Sequence, residues 1–278
     1  MRVVVTGAAG QLGQVIVTQF EARHDVVAFA RADLDLTDHS AVLHTITAAR
    51  PDVVINCSAY NAVDQAEDEA STALAVNAFA VRSLARAANE SGAILVHYST
   101  DFVFDGTATE PYVEEDLPAP RSVYGQSKLL GELFARDVSR HYVLRVESLF
   151  GGPRPKSSVD RIIDALASDR EARVFTDRVV SPSFVDDVAT ATEALLTADA
   201  APGLYHCVNS GRATWYELGA HVAQVMKRTA RLAGVRVADV PMKAPRPQYC
   251  ALSNAKLAAA GVTMPTWQDA IGRYLARR

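Results

Sequence analysis

Short runs of β-branched and aliphatic residues alternate along the first half of the chain with longer stretches of three- and four-residue periodicity. That alternation is the pattern of βαβ units, whose crossover helices cover both faces of a parallel sheet. The runs Arg2–Val5, Val26–Phe29, Val53–Asn56, Ile94–Tyr98 and Val143–Glu147 predict five strands. Their nearly continuous hydrophobicity suits strands buried on both sides. Helices are predicted near Gln11–Ala22, Ser40–Ala49, Ala66–Ser91 and Ser122–Arg136. In the third of these, Leu74, Asn77, Val81, Leu84 and Ala88 share one face, and Gly92 supplies the stop.

Beyond Phe150 the pattern breaks at Gly151-Gly152-Pro153. A helix at Val159–Ala167, a short strand at Val174–Phe175 and a helix at Asp186–Ala198 follow. From Pro202 onward, prolines at 241, 245, 247 and 265 separate shorter elements. The expected fold is α/β, a doubly wound parallel sheet of the Rossmann type with a smaller C-terminal substrate-binding lobe. The dinucleotide-binding domain is expected over 1–150 with a return of 174–199, and the lobe over 151–173 and 200–278.

Composition removes several functional classes. With 278 residues, 49% of them hydrophobic, the chain can bury a sizeable core. A net charge of −4 gives no basic excess for nucleic acid or an acidic membrane surface. The three cysteines, Cys57, Cys207 and Cys250, form no CxxC pair and read as reduced thiols. No apolar run approaches the roughly 20 residues of a membrane span, and no basic-then-apolar leader precedes MRVVVTG. A cytoplasmic location is expected. The seven histidines lack ligand spacing and no HExxH occurs, so no metal is expected. Trp215 and Trp267 read as packing residues.

Thr6 to Gly13 reads TGAAGQLG, directly after the first strand and opening a helix. Gly7 suits the tight turn, Gly10 a close approach of backbone to a pyrophosphate, and Gly13 the packing of helix on strand. A dinucleotide is the expected ligand, with its pyrophosphate at the helix N-terminus. An acid at the end of the second strand would take the ribose hydroxyls of NAD, but the chain offers Phe29-Ala30-Arg31. Arg31 favours the 2′-phosphate of NADP, while Asp33 and Asp35 keep NAD open.

Tyr124-Gly125-Gln126-Ser127-Lys128 is a YxxxK pair whose side chains share one helix face. A phenol with a pKa near ~10 needs help as an acid–base catalyst at neutral pH. A neighbouring ammonium is expected to lower it. Tyr98-Ser99-Thr100-Asp101 ends the fourth strand at the edge where ligands bind in such sheets, so Thr100 is expected to hydrogen-bond a substrate carbonyl beside Tyr124. Asp101 is placed to orient a substrate hydroxyl. Arg246, between prolines, is placed to pair with substrate phosphates.

These motifs resemble the extended short-chain dehydrogenase/reductases, and within them the dTDP-4-dehydrorhamnose reductase family, along nearly the whole chain. The resemblance rests on TGAAGQLG, on Asp35-Leu36-Thr37-Asp38, and on Pro51–Asn56 running into Ala59-Tyr60-Asn61-Ala62-Val63-Asp64. It rests further on Ser99–Gly106, on Tyr124–Lys128 with Gly131-Glu132, on Gly203-Leu204-Tyr205-His206, and on Arg246-Pro247. The resemblance implies that NAD(P)H gives hydride to C4 of a 4-keto-6-deoxysugar carried on a nucleotide. Tyr124 would then donate the proton, Lys128 assist and Thr100 orient. By position it also implies cofactor contacts from Gln11, Leu12, Asp35, Leu36, Ala59 and Tyr60, and substrate contacts from Val63, Asp64, Asp101 and Phe102.

Four departures from the family pattern all fall on the substrate side. Phe102 stands where the family has Tyr, and Arg145-Val146-Glu147-Ser148 where it reads Arg-Thr-Ser-Trp. Asp177–Ser183 replaces Asp-Gln-x-Gly-x-Pro-Thr, and Tyr249-Cys250 replaces Asn-Ser. Two other readings therefore stay open: a non-catalytic regulatory protein on this fold, and a reductase of a smaller carbonyl compound without a nucleotide. A homodimer is left open as well.

Overall fold

The computed structural model describes residues 1–278. Its centre is a parallel sheet of six strands. Five are β1 (Arg2–Thr6), β2 (Asp25–Phe29), β3 (Val53–Asn56), β4 (Ile94–Thr100) and β5 (His141–Val146); the sixth is Gly203–His206. Their order is sixth-β5-β4-β3-β1-β2. The chain runs from β1 outward to β2, then returns to the other side of β1 to lay down β3. The carboxyl ends of β1 and β3 thus form the switch point where such sheets leave a crevice for ligands.

Alternation along the strands divides the core in two. Val3, Val5, Val53, Ile55, Val96 and Leu144 face a layer containing Val15 and Ile16 of the helix α1 (Gln11–Phe20). Val4, Val54, Leu95 and Val143 face the opposite layer, with Val42 and Ile46 of the helix α2 (His39–Ala49). All these residues are buried. Removal of each such side chain from water contributes roughly 1.5–3 kcal/mol, and the two-faced burial fixes the register of every central strand.

The predicted helix Ala66–Ser91 is interrupted. Helical turns at Val63–Ala66 and Ala70–Leu74 lead into a π turn at Ala75–Phe79, and a regular helix continues over Ala80–Ser91. Within the π turn, buried Asn77 accepts from the Tyr60 backbone N–H and donates to the Tyr60 carbonyl and to Ser127 Oγ. The periodic pattern marks Asn77 as part of the buried face, but cannot show that its amide is bonded to a loop after β3. π turns of this sort are frequent at functional sites.

The division between domain and lobe also differs from the expected boundaries. Gly203–His206, inside the range assigned to the lobe, pairs with β5 as the sixth strand, and Leu204 and Tyr205 are buried on its two faces. Ala172–Phe175 pairs with Leu232–Val235 in a separate two-stranded sheet and does not join the main one. The element that returns to the main layer is the helix Val185–Thr197, whose Val185, Val188, Ala189 and Leu195 pack in the same cluster as α1.

The helix Val123–Ala135, which carries the YxxxK pair, is tied to the sheet by a buried ion pair. Glu132 receives Arg145 Nε and Nη2, each at 2.8 Å, and Ser99 Oγ at 2.5 Å. Both charged side chains are 1% exposed. Gly131 lets the helix approach, since a Cβ there would lie 2.2 Å from the Asn77 carbonyl oxygen. Loss of one partner strands the other charge in the interior, so Arg145→Met should destabilise the fold by about 3–5 kcal/mol. Urea unfolding of the two proteins checks this; a loss within about 0.5 kcal/mol, the size of an ordinary surface change, would show that the helix is held by other contacts.

Candidate active site

Two adjoining clefts open at the carboxyl edge of the sheet. The first, about 390 Å³, is lined by the loop after β1, the loop after β3, the tip of β2 and the Tyr124 helix. Gly7 has φ +70°, and a Cβ there would lie 2.6 Å from the Ser58 backbone nitrogen. At Gly13 a Cβ would meet the Gly7 carbonyl oxygen at 2.2 Å. Gly10 is the cap of α1 and puts no side chain over the first turn, so the backbone N–H groups there are open to an anion. Thr6 Oγ1 and the Ser58 backbone N–H both donate to Asn56 Oδ1, which fixes the two loops across the switch point.

Gln11, Leu12, Arg31, Asp35, Leu36, Ala59 and Tyr60 all line this cleft. Gln11 spends its side-chain amide on the Gly151 carbonyl at 2.9 Å, which leaves its backbone as the part turned to a ligand. At the β2 tip, Asp33 accepts from the Ala30 N–H, and Asp35 accepts from the Thr37 N–H and hydroxyl. Those bonds to Thr37 hold Asp35 below the ordinary carboxylate range. Arg31 is exposed and has no carboxylate within ion-pair distance. The acids are engaged in turns and the cation is free, an arrangement that fits a ribose bearing a 2′-phosphate.

Tyr124, Ser99, Asn61, Val146 and Leu149 line both clefts and mark their junction. Lys128 is buried one helical turn below Tyr124 and donates from Nζ to the Tyr98 carbonyl at 2.6 Å. Thr100 Oγ1 donates to Asp101 Oδ1 at 2.9 Å and accepts from the Phe102 N–H. Burial draws Lys128 down to about 8, with Glu132 and Cys57 opposing. Burial pushes Tyr124 up to about 12, Asp101 adds to that, and Thr100 opposes it. The lowering of the phenol by Lys128 expected from the YxxxK spacing is therefore absent. Its cause is the position of Nζ, which is turned to the strand carbonyl while the phenol faces the Asp101 side.

The second cleft, about 520 Å³, is lined by Val63, Thr100, Asp101 and Phe102 on one side and by Lys156, Arg161, Arg178 and Trp215 on the other. Phe102 packs edge-on against Tyr124 with centroids 5.5 Å apart, and the Arg178 and Arg246 guanidiniums lie 5.6 and 5.8 Å from its ring centre. Ser148, at the position of the family's Trp, is held at φ 45°, a left-handed conformation that costs energy for a residue other than glycine. Behind it, one ligand atom from each of Asp101, Glu147 and Cys250 lies within 4.8 Å of the others, all three buried.

Two expected substrate residues stand elsewhere. Asp64 and Arg246 do not line the second cleft; they pair with each other at 2.8 Å, and the Ala244 N–H donates to the other Asp64 oxygen. Arg246 borders a separate depression beside Arg121 and Arg236. A guanidinium already matched to a carboxylate has little left for a phosphate. The cations facing the second cleft are Lys156, Arg161 and Arg178, which carried no motif in the sequence. Only Arg178, at a departure from the family pattern, left a sign there. Trp215 is a core residue as expected, yet it also forms a wall of the cleft.

The model of the RmlD substrate binding domain family matches residues 1–278. The chain is 33% identical to the spore coat polysaccharide biosynthesis protein SpsK of Bacillus subtilis, across 100% of this chain and 98% of that one. It is 32% identical to the dTDP-4-dehydrorhamnose reductase of Escherichia coli, across 99% and 97%. The crystal structure of dTDP-4-dehydrorhamnose reductase from Bacillus anthracis in complex with NADP superposes with a TM-score of 0.95 at 31% identity, covering 100% of this chain and 99% of that one.

The buried acids behind Ser148 have a measurable consequence. Burial, reinforced by Asp101, holds the Glu147 carboxyl well above its ordinary 4.5, against the Ser181 N–H and Arg178. Asp101 is likewise raised by burial, and its Oδ2 has no partner. The folded state therefore keeps a proton that the unfolded chain releases. The stability tied to that proton is complete below about 4.5 and is lost as pH rises through the folded value. Glu147→Gln retains an acceptor for the Ser181 N–H and removes the ionisation. Its unfolding midpoint should gain on that of the wild type as pH is raised from about 5 to about 8, and calorimetric scans across that range check it. A difference independent of pH would mean that Glu147 ionises as an ordinary carboxyl.

Proposed function

The chain belongs to the RmlD substrate binding domain family, and from that premise we infer that Thr100, Tyr124 and Lys128 carry its reaction. That reaction is the NADPH-dependent reduction of the 4-keto group of a nucleotide-linked sugar. The observation that carries the assignment is the position of Tyr124 at the junction of the two clefts, with Lys128 behind it and Thr100 on the adjoining strand edge.

NADPH, when bound, supplies the hydride. Gly7, Gly10 and Gly13 would hold its pyrophosphate at the first turn of α1, Arg31 would hold its 2′-phosphate, and Leu36, Ala59 and Tyr60 would line its site. The Thr100 hydroxyl hydrogen-bonds the carbonyl oxygen of the sugar and keeps it against the phenol. Tyr124 donates its proton to that oxygen as it turns into a hydroxyl. A phenol held near 12 is fully protonated at neutral pH, which is the state a donor needs. The Lys128 ammonium, fixed by the Tyr98 carbonyl, would hold the nicotinamide ribose. Asp101 lines the same cleft and accepts from the Thr100 hydroxyl. We place the enzyme in the cytoplasm, a reading supported by its three free thiols.

With Tyr124→Phe, turnover of a nucleotide-linked 4-keto sugar should fall by roughly 10²–10⁴ while the NADPH dissociation constant stays unchanged. Retention of most of the activity would remove Tyr124 from the reaction. Calorimetric titration should show that the wild type prefers NADPH to NADH, and that Arg31→Ala weakens NADPH by about tenfold and leaves NADH unaltered. Equal losses for both cofactors would turn Arg31 to solvent and return the ribose to Asp33 or Asp35.

A further inference from the structure

We propose that Asp101 and Glu147 share one proton, and that this proton lets Asp101 donate to the Thr100 hydroxyl, which in turn donates to the ketone oxygen. The inference rests on the reductase reading above for the ketone; the shared proton does not. Glu147, Arg178 and Cys250 stand at three of the departures from the family pattern, where that pattern has Ser, Gln and Ser. Far apart in sequence, they meet at Asp101, a residue of the matched Ser99–Gly106 stretch. One polar atom from each of Asp101, Glu147 and Cys250 lies within 4.8 Å of the others, and all three residues are buried. Arg178 closes the group, with Nη2 at 3.6 Å from Cys250 Sγ. Relative to the pattern, the chain adds an acid and a base together beside an acid already present.

Two carboxyls and one guanidinium leave one negative charge unmatched. Asp101 and Glu147 both face Arg178, as does Cys250. One guanidinium balances one carboxylate, and in dry surroundings a second carboxyl beside the first keeps its proton. Burial accordingly raises both acids, and Asp101 adds to the rise of Glu147. No other neighbour takes over this part. Cys250 gives its thiol proton to the Pro247 carbonyl at 3.2 Å, and burial keeps the thiol neutral. Tyr124 faces Asp101 from its helix and holds its own proton. Tyr249 borders Glu147 and is raised as well, while Arg246, beside Arg178, is matched by Asp64. Lys156 and Arg161 line the same cleft but are exposed to solvent. With a guanidinium against it, the group suits a proton and not a metal cation.

A threonine hydroxyl has one proton and two lone pairs. Thr100 Oγ1 accepts from the Phe102 N–H and lies 2.9 Å from Asp101 Oδ1. Beside an ionised Asp101 its proton goes to the carboxylate, and a ketone, which only accepts, finds no donor there. Beside a protonated Asp101 the bond reverses. Asp101 then donates, Thr100 fills its second lone pair, and its own proton is free for the ketone oxygen. Tyr124 lines the same cleft, so the ketone is met by both hydroxyls. The remaining charge has support on Glu147, whose Oε2 accepts the Ser181 N–H at 2.5 Å, whereas Asp101 Oδ2 has no partner. Binding of the ketone therefore draws the shared proton to Asp101. Asp101 and Glu147 are positioning residues, because they act through Thr100.

The test measures kcat against pH for NADPH-dependent reduction of dTDP-4-dehydrorhamnose by the full-length protein, since kcat reports groups in the bound complex. In Glu147→Gln a single carboxylate faces Arg178, and Asp101 gives up its proton more readily. The fall of kcat toward high pH should begin about one pH unit lower than in the wild type, with kcat about tenfold lower near pH ~8. Asp101→Asn keeps a donor to Thr100 that cannot ionise, so it should turn over about tenfold faster than Asp101→Ala. Adding Glu147→Gln to Asp101→Asn should leave the pH profile where it is, an outcome that a merely structural role does not give. Infrared spectra of the protein without substrate should show a protonated carboxyl at neutral pH that Glu147→Gln removes. A pH profile unmoved by Glu147→Gln, equal turnover by Asp101→Asn and Asp101→Ala, or no protonated carboxyl in the wild type overturns the proposal. If the wild type turns over no nucleotide-linked 4-keto sugar while the infrared band behaves as described, the reductase reading fails and the shared proton stands.

Discussion

The arrangement of the active site depends on one buried contact, the pairing of Glu132 with Arg145 beneath the Ser99 hydroxyl. Tyr124, Lys128 and Glu132 follow at four-residue intervals, so one face of a single helix carries the phenol, the ammonium and the anchor. Arg145 belongs to β5 and Ser99 to β4, next to Thr100. The ion pair thus holds this helix to the two strands whose ends make the candidate site. A fork bonded to both carboxylate oxygens fixes the rotation of the helix as well as its distance. Phe104 covers the guanidinium with its ring 4.8 Å away and keeps water from the pair. Such a contact adds less to stability than its geometry suggests, because both charges give up hydration. What it contributes is a unique position for Tyr124 and Lys128.

The parts of the molecule that were legible in the sequence are those governed by local rules. Strands β1, β3, β4 and β5 and the helices between the strands follow from periodicity, since burial on both faces leaves an unbroken apolar run; β2, at the sheet edge, is only partly buried. Gly7 and Gly13 were legible because backbone contacts at those points exclude any side chain. The sixth strand was hidden because Gly203–His206 has only four residues and its partner lies some sixty positions earlier. The π turn was hidden for a related reason: its cause is the bonding of Asn77 to Tyr60 and Ser127, and spacing does not record a hydrogen bond. Arg246 misled in the opposite way. Its setting between prolines suggested a free guanidinium, but Asp64, far away in sequence, already matches it. Pairing over long range decides whether a cation is available.

Burial treats Tyr124 and Lys128 in opposite ways. A cation loses stability when desolvated, so Lys128 is drawn toward neutrality; a phenol keeps its proton, so Tyr124 rises. Low dielectric alone would draw Lys128 further toward its neutral form. Glu132 prevents that, for its carboxylate lies one turn further along the same helix and opposes the effect of burial. The anchor of the helix therefore also maintains the charge of the residue it positions.

The two clefts differ in how strictly they constrain sequence. On the cofactor side the ligand meets backbone: the turn at Gly7, the close approach at Gly13 and the open N–H groups of α1 admit few alternatives. On the substrate side it meets the ends of side chains. The wall opposite Thr100 is assembled from different elements: the loop before Ser158–Ala167, that helix itself and the segment after Ala172–Phe175. Replacement of a large aromatic by Ser148 opens space in the same wall, and Glu147 and Cys250 fill the region behind it. These substitutions leave untouched the contacts that hold Tyr124 and Lys128, because those contacts run through Glu132 to the sheet. A site built in this way can change the sugar it accepts by altering one wall while its chemistry stays fixed by the other.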